Sequence, residues 1–137
     1  MQLNLETDYA IRCLLYLAGQ EKFTSSAQVG KAIALTPNHA QKILHRLRKA
    51  GFVSVARGSE GGYTLAQAPD RVHVLDVIEK MEGTIAINRC LEPDGYCSMN
   101  ATEKCPMHKF YLHMQQLLQD KFGKTTLQDV IDRKFDN

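Results

Sequence analysis

The sequence predicts a mainly α-helical chain with one small β-hairpin and a long amphipathic helix near its C-terminus. Three observations carry that expectation. Apolar residues recur at helical spacing through "LTPNHAQKILHRLRKAG" and again from Met107 to Phe122. Between those stretches the period drops to two in "FVSVARGSEGGYTLA", with glycines gathered at its centre. Capping and breaking residues separate the helical stretches where turns are needed.

Residues 5–19 read as the first helix, with Leu5, Tyr9, Leu14, Leu15, Leu17 and Ala18 as its apolar face and Gly19 as its stop. Ser25 and Gln28 resemble a capping box that opens a short second helix through Ala27, Val29, Ala32 and Ile33. In the third, Thr36 suits the N-cap, Pro37 the first helical position and Gly51 the C-terminal stop. Ala40, Ile43, Leu44 and Leu47 form its buried stripe. Two helices joined by a tight turn, the second one basic, make a helix-turn-helix. The Phe52/Val53/Val55 alternation, broken from Gly58 to Gly62 and resumed at Tyr63 and Leu65, is then a two-stranded ribbon. That order is a winged helix-turn-helix. "HVLDVIEKMEG" is a short helix ended by Gly83, and "TLQDVIDRK" is a last short one. The helix between them carries Met107, Phe110, Tyr111, Met114, Leu117, Leu118 and Phe122 on one face, which suits packing against a twin in a homodimer. The expected division is residues 1–83 for the winged helix-turn-helix domain, 84–106 for a cysteine-rich loop, and 107–137 for the dimerisation helix and the C-terminal helix.

At 137 residues, 44% hydrophobic and 23% charged, the chain suits one globular domain with a helical arm. No segment approaches ~18 uninterrupted apolar residues, so no membrane partner is expected. "MQLNLETDYAIRCLLYLAG" puts acids before its apolar run and has no basic leader, which argues for a cytoplasmic address with reduced thiols. No P-loop, nucleophile elbow or HExxH occurs, and the glycines of "GSEGGY" suit a hairpin tip better than a phosphate cradle, so neither an enzyme nor an organic substrate is expected.

The net charge of +2 hides a split. Between Glu21 and Glu60 there is no acid, while Lys22, Lys31, Lys42, Arg46, Arg48, Lys49 and Arg57 are basic. A local basic field on an acidic body suits a polyanion. On the third helix Asn38, Gln41, Lys42, His45 and Lys49 lie opposite the buried stripe, flanked by His39 and Arg46. Asn and Gln can read adenine edges, and Lys suits guanine or phosphate. The helix N-terminus offers free amides to a phosphate, and Arg57 at the ribbon's turn suits a minor groove or the backbone. The expected DNA-contacting set is Thr36, Asn38, His39, Gln41, Lys42, His45, Arg46, Arg57 and Ser59. Each alone is an ordinary exposed polar residue; together, with no acid among them, they favour double-stranded DNA. His73 and His113 have no such context and read as structural.

The remaining motif is Cys90-x6-Cys97-x7-Cys105-x2-His108. Structural zinc sites usually use a tight knuckle of two to four intervening residues, whereas gaps of six and seven suit the separated irons of an iron–sulfur cluster. Three thiolates leave one ligand to find. His108 is one helical turn from Cys105, and Asp8 in the first turn of the first helix is the alternative, as a weak oxygen donor or simply a partner for the helix dipole. Cys13 falls in the first helix and reads as core. Iron–sulfur leads on spacing; zinc, and a thiol or disulfide switch, stay open.

In these residues the chain resembles the Rrf-type winged-helix regulators of bacteria, the group that includes IscR, NsrR and RirA. "KILHRLRKAGFVSVARGSEGGYTLA" is similar to that family's recognition helix and wing, "TDYAIR" to its first helix, and the three-cysteine loop before a long helix to its sensor. The resemblance spans essentially the whole chain. It implies a homodimer on palindromic promoter DNA, usually a repressor, with an iron–sulfur cluster that senses iron or cluster supply, redox state or nitric oxide. By position it implies base contacts from Asn38, His39, Gln41 and Lys42, a wing arginine at Arg57, and cluster ligation by Cys90, Cys97 and Cys105. His108 as fourth ligand implies [2Fe-2S]; Asp8 of the partner subunit implies [4Fe-4S]. The cysteine gaps here are longer than the family's usual five or so. In such a dimer the recognition helices must lie about one DNA turn apart, ~34 Å, so a coupling of ~1–3 kcal/mol between loop and dimer geometry changes affinity by tens of fold.

Overall fold

A computed structural model of the chain describes residues 1–136. Six helices and one hairpin follow in order: α1 (Leu5–Ala18), α2 (Ser26–Ile33), α3 (Pro37–Lys49), β1 (Val53–Ala56), β2 (Gly62–Leu65), α4 (Val74–Glu82), α5 (Pro106–Lys124) and α6 (Leu127–Ile131). The architecture is the mainly α, winged helix-turn-helix arrangement that the sequence predicts, with a long helix after it.

Local chemistry sets the helix ends. The Asn4 side chain caps α1, Thr36 accepts from the His39 backbone N–H, and Ser25 and Gln28 form the reciprocal capping box of α2. Each such cap contributes about 1 kcal/mol. Between α2 and α3 the chain turns through Ala34, which sits at φ 61°, in the left-handed region. Gly30 lets the two helices meet there, since a Cβ on it would lie 2.8 Å from the Leu35 carbonyl oxygen.

The hairpin is antiparallel, with Val53 opposite Leu65 and Val55 opposite Tyr63. It is tied to the helices through Thr24, which exchanges two backbone hydrogen bonds with Tyr63, at 2.9 and 2.8 Å. A Cβ on Gly62, at φ +140°, would come within 2.5 Å of the Thr24 backbone, so the wing can lie this close only with glycine there.

Leu14, Leu17, Val29, Ile43, Leu44, Leu47, Val77 and Leu127 meet in one core. Burying each such side chain contributes ~1.5–3 kcal/mol. Two expected apolar faces differ from those observed. On α1 the buried stripe is Thr7, Ala10, Leu14 and Leu17, with Cys13 beside it, while Leu5 is 66% exposed. Leu5 lies two residues, ~200° round the helix, from Thr7, and so points away from the core. On α5 the predicted single face is split. Tyr111, Met114, Leu118 and Phe122 are half-buried, whereas Met107, Phe110 and Leu117 are about half exposed. α5 packs on α4 and on the turn at Arg89–Leu91.

After α5 the chain returns to the core shared by α1, α3 and α4. The Leu127 N–H donates to the Val72 carbonyl, and the Leu127 side chain is fully buried among α1, α3 and α4 residues. His73 joins Thr126 in a backbone bridge at this return, and His113 is exposed on α5.

Candidate DNA-binding face and cysteine site

The polar face of α3 is open. Asn38, Gln41, Lys42, His45, Arg46, Arg48 and Lys49 are exposed, and the buried stripe opposite them orients the whole set outward. Asn38, Gln41, Lys42, His45 and Arg46 line a recess of about 590 Å³, to which Tyr63 of the wing and Glu6 of α1 also contribute. Arg57 and Ser59 are exposed on the hairpin tip, which is closed by a hydrogen bond from the Gly61 N–H to the Gly58 carbonyl. Thr36 is exposed, but its hydroxyl is committed to capping α3.

Two expected DNA contacts have a partner within the chain. His39 Nε2 lies 3.0 Å from Glu6 Oε1, and Arg46 donates to Glu6 Oε2 at 3.3 Å and to the Met81 carbonyl at 3.1 Å. The His39 hydrogen bond is the largest influence on the Glu6 carboxyl; with the charge of His39 and the contact to Arg46 it outweighs burial and holds the carboxyl below its usual range. Glu6 was not singled out from the sequence, where it reads only as an acid in a first helical turn; its place beside α3 is a product of helix packing.

The second site is the loop between α4 and α5. Cys90, Cys97, Cys105 and His108 line one cavity of about 250 Å³, with Asn88, Tyr96 and Tyr111 among its other walls. Residues eighteen apart are brought into contact: His108 Nδ1 is 3.2 Å from Cys90 Sγ, which also accepts from the Asn88 amide at 3.3 Å. Backbone N–H groups of Ala101, Met99 and Asn100 point at Cys97 and lower its thiol pKa against slight desolvation. Cys105 is the N-cap residue of α5, immediately before Pro106. All four cysteines are free thiols, and Cys13 is wholly buried in the core, its pKa pushed up to about 12 by desolvation.

The loop is held by charge. Arg89 grips Asp94 in a two-pronged pair at 2.5 and 2.6 Å, and its guanidinium lies 5.2 Å from the centre of the Tyr96 ring. Arg89, helped by the Tyr96 backbone N–H, brings the Asp94 carboxyl down to about 2. At the loop's start the Ile87 N–H donates to Oε1 of Gln115, the one buried residue of α5, at 2.8 Å. Sequence reading missed the Arg89–Asp94 pair, although its i, i+5 spacing across Pro93 is visible once a turn is assumed.

Among the described residues no three His, Cys, Asp or Glu side chains are gathered closely enough for a single metal ion. Asp8 is paired with Arg12 at 2.6 Å on its own helix and is not among the residues lining the cysteine cavity.

Helix, turn, basic helix and wing together define a winged helix-turn-helix DNA-binding protein. Residues 3–133 match the Rrf2 family, described as iron-dependent transcriptional regulators, and the chain belongs to that family. It is 34% identical over 103 residues to the HTH-type transcriptional regulator NsrR of Shouchella clausii (strain KSM-K16), covering 73% of this chain and 69% of that protein. The fold is also that of CymR, the global cysteine regulator of B. subtilis, with a TM-score of 0.78 and 23% identity over 98% of each chain. IscR of T. potens superposes with a TM-score of 0.74 and 21% identity, over 97% of this chain and 88% of that one. The chain is therefore a transcriptional regulator that binds DNA. No helix among the described residues is long and apolar enough to cross a membrane.

Proposed function

We propose that the protein is a cytoplasmic homodimer that represses promoters at palindromic operators, and that an iron–sulfur cluster held by Cys90, Cys97, Cys105 and His108 governs its DNA affinity. The observation that carries this reading is the single cavity lined by three thiols and one imidazole. The donor set is soft, backbone N–H groups lower the Cys97 thiol pKa, and the gaps of six and seven residues between the cysteines suit the separated irons of a cluster better than the tight knuckle of one zinc ion. The contact between His108 and Cys90 favours His108 over Asp8 of the partner subunit as fourth ligand, and so [2Fe-2S] over [4Fe-4S].

Such a cluster supplies a centre that iron supply, oxidants or nitric oxide can alter. The protein's own residues carry the consequence outward. Cys105 heads α5, Gln115 of α5 holds Ile87 at the loop's start, and the Asn4 N–H at the head of α1 donates to Glu82 at the end of α4. A change in loop geometry therefore bears on α5, α4 and α1 together. On α3, Asn38, Gln41, Lys42 and His45 have the donors and acceptors for base edges, and Arg57 with Ser59 reaches the backbone from the wing.

A second reading is a thiol switch without iron, favoured by the backbone N–H groups that stabilise the Cys97 thiolate. One experiment separates the two. Protein prepared without air and given iron and sulfide should develop a visible absorption band and a Mössbauer doublet, and its operator affinity should change by at least about tenfold. Cys97→Ala should abolish the band and leave a folded dimer. A colourless wild type whose DNA binding responds only to thiol oxidants leaves the thiol switch standing and the cluster reading overturned.

A further inference from the structure

The DNA-facing recess contains an anion. From Lys22 to Ser59 the sequence has no acid, yet folding brings Glu6 of α1 into the wall formed by Asn38, Gln41, Lys42, His45 and Arg46. A carboxylate facing phosphates weakens binding, so its place there calls for an explanation. Both of its oxygens are in use. Oε1 meets His39 Nε2 at 3.0 Å, and Oε2 accepts from Arg46 Nη1 at 3.3 Å. Arg46 is held a second time, through Nη2, by the Met81 carbonyl at 3.1 Å, and the Tyr9 ring stands edge-on to His39 with the ring centres 5.4 Å apart. Glu6 is itself a fixed point. Its N–H donates to the Asn4 side chain, and the Asn4 N–H donates to Glu82 at 2.7 Å.

We propose that Glu6 is a specificity-determining residue of the DNA-binding face: it restrains Arg46 and His39 and so withholds them from the phosphate backbone. An arginine free to reach phosphate adds affinity for any duplex alike, because phosphate contacts carry no sequence information. Holding it on Glu6 removes that indiscriminate contribution. Asn38, Gln41, Lys42 and His45 are left to set the affinity through base edges. This rests on the DNA-reading role of α3 and adds what limits its non-specific binding. It is independent of whether the loop binds iron.

The test uses the full-length protein and a random-sequence duplex of about 24 base pairs, followed by fluorescence anisotropy from about 50 to 200 mM KCl. Glu6→Gln should bind this DNA about tenfold more tightly at 0.1 M salt, with a salt slope steeper by about one unit, the mark of one further phosphate contact. Glu6→Ala, which leaves no side-chain oxygen for Arg46, should gain at least as much. In an Arg46→Ala background, Glu6→Gln should gain no more than about twofold, the effect of one negative charge removed from the face. That dependence is the decisive result, since simple loss of a negative charge would raise affinity by the same factor with or without Arg46. A Glu6→Gln affinity within about twofold of wild type, or a gain undiminished by Arg46→Ala, overturns the proposal. A wild type that binds no duplex even at the lowest salt overturns the DNA reading of α3 as well.

Discussion

At the scale of single residues, the four cysteines are chemically unequal because their surroundings differ. Cys13 is enclosed by α1's core partners, and desolvation raises its pKa to about 12. At pH 8 only about one part in ten thousand of it is thiolate. Cys97 has three backbone N–H groups to stabilise its anion, and its pKa falls. In metal-free protein, iodoacetamide should therefore alkylate Cys97 early and leave Cys13 untouched until the chain is unfolded, as read by peptide mass spectrometry. Equal labelling of the two in native protein would contradict the assignment of Cys13 to the core. Asp94 shows the same dependence on neighbours. Its carboxyl titrates near 2 because Arg89 and the Tyr96 N–H stabilise the charged form. A depressed carboxylate contributes stability that is present above its unfolded value near 4 and is lost as pH falls through about 2. The Arg89–Asp94 grip on the loop therefore stays intact across the neutral range.

At the scale of elements, the turn between α2 and α3 stores strain. Ala34 occupies a left-handed conformation that costs a non-glycine residue about 1–2 kcal/mol. Glycine would relieve this but loses about 0.5–1 kcal/mol more backbone entropy on folding. The balance favours Ala34→Gly by about 0.5–1 kcal/mol, which thermal unfolding should register as a Tm higher by a few degrees. A lower Tm would mean that the Ala34 methyl group makes a packing contribution larger than the strain. The helix-turn-helix was legible because its signals are local: Thr36 and Pro37 start a helix, Ser25 and Gln28 cap another, and Ala40, Ile43, Leu44 and Leu47 repeat at helical spacing. The apolar face of α1 was less legible. Leu5, Tyr9 and Leu15 are as apolar as Leu14, and only the positions of α2, α3 and α4 decide that Thr7 and Ala10 face inward.

At the scale of the whole molecule, α5 is a rod of ~28 Å with one flank against α4 and another uncovered. Met107, Phe110 and Leu117 recur along the open flank at spacings of three and seven, the seam of a helix that meets a second helix. Phe110→Glu combined with Leu117→Glu should halve the sedimenting mass towards the 15.4 kDa of one chain while leaving the helical circular dichroism unchanged. A wild type that sediments at that mass across the micromolar range would remove the dimer from the proposal. The same view shows why the C-terminal segment does not stand apart. Leu127 is fully buried in the core that α1 and α3 build, a contact no pattern in "TLQDVIDRK" announces.

What the sequence determined alone is whatever depends on neighbours within a turn or two. That includes the helices and their caps, the glycine-tipped wing, the acid-free basic stretch and the crowding of three thiols before a long helix. Only the tertiary structure decided what depends on residues far apart in the chain. It placed His108 against Cys90, gave the Gln115 side chain to the loop's backbone, and brought Glu6 to Arg46 across forty residues. The physical reason is that periodicity and capping are properties of one segment's own geometry. The partner of a polar side chain is set by how several such segments pack.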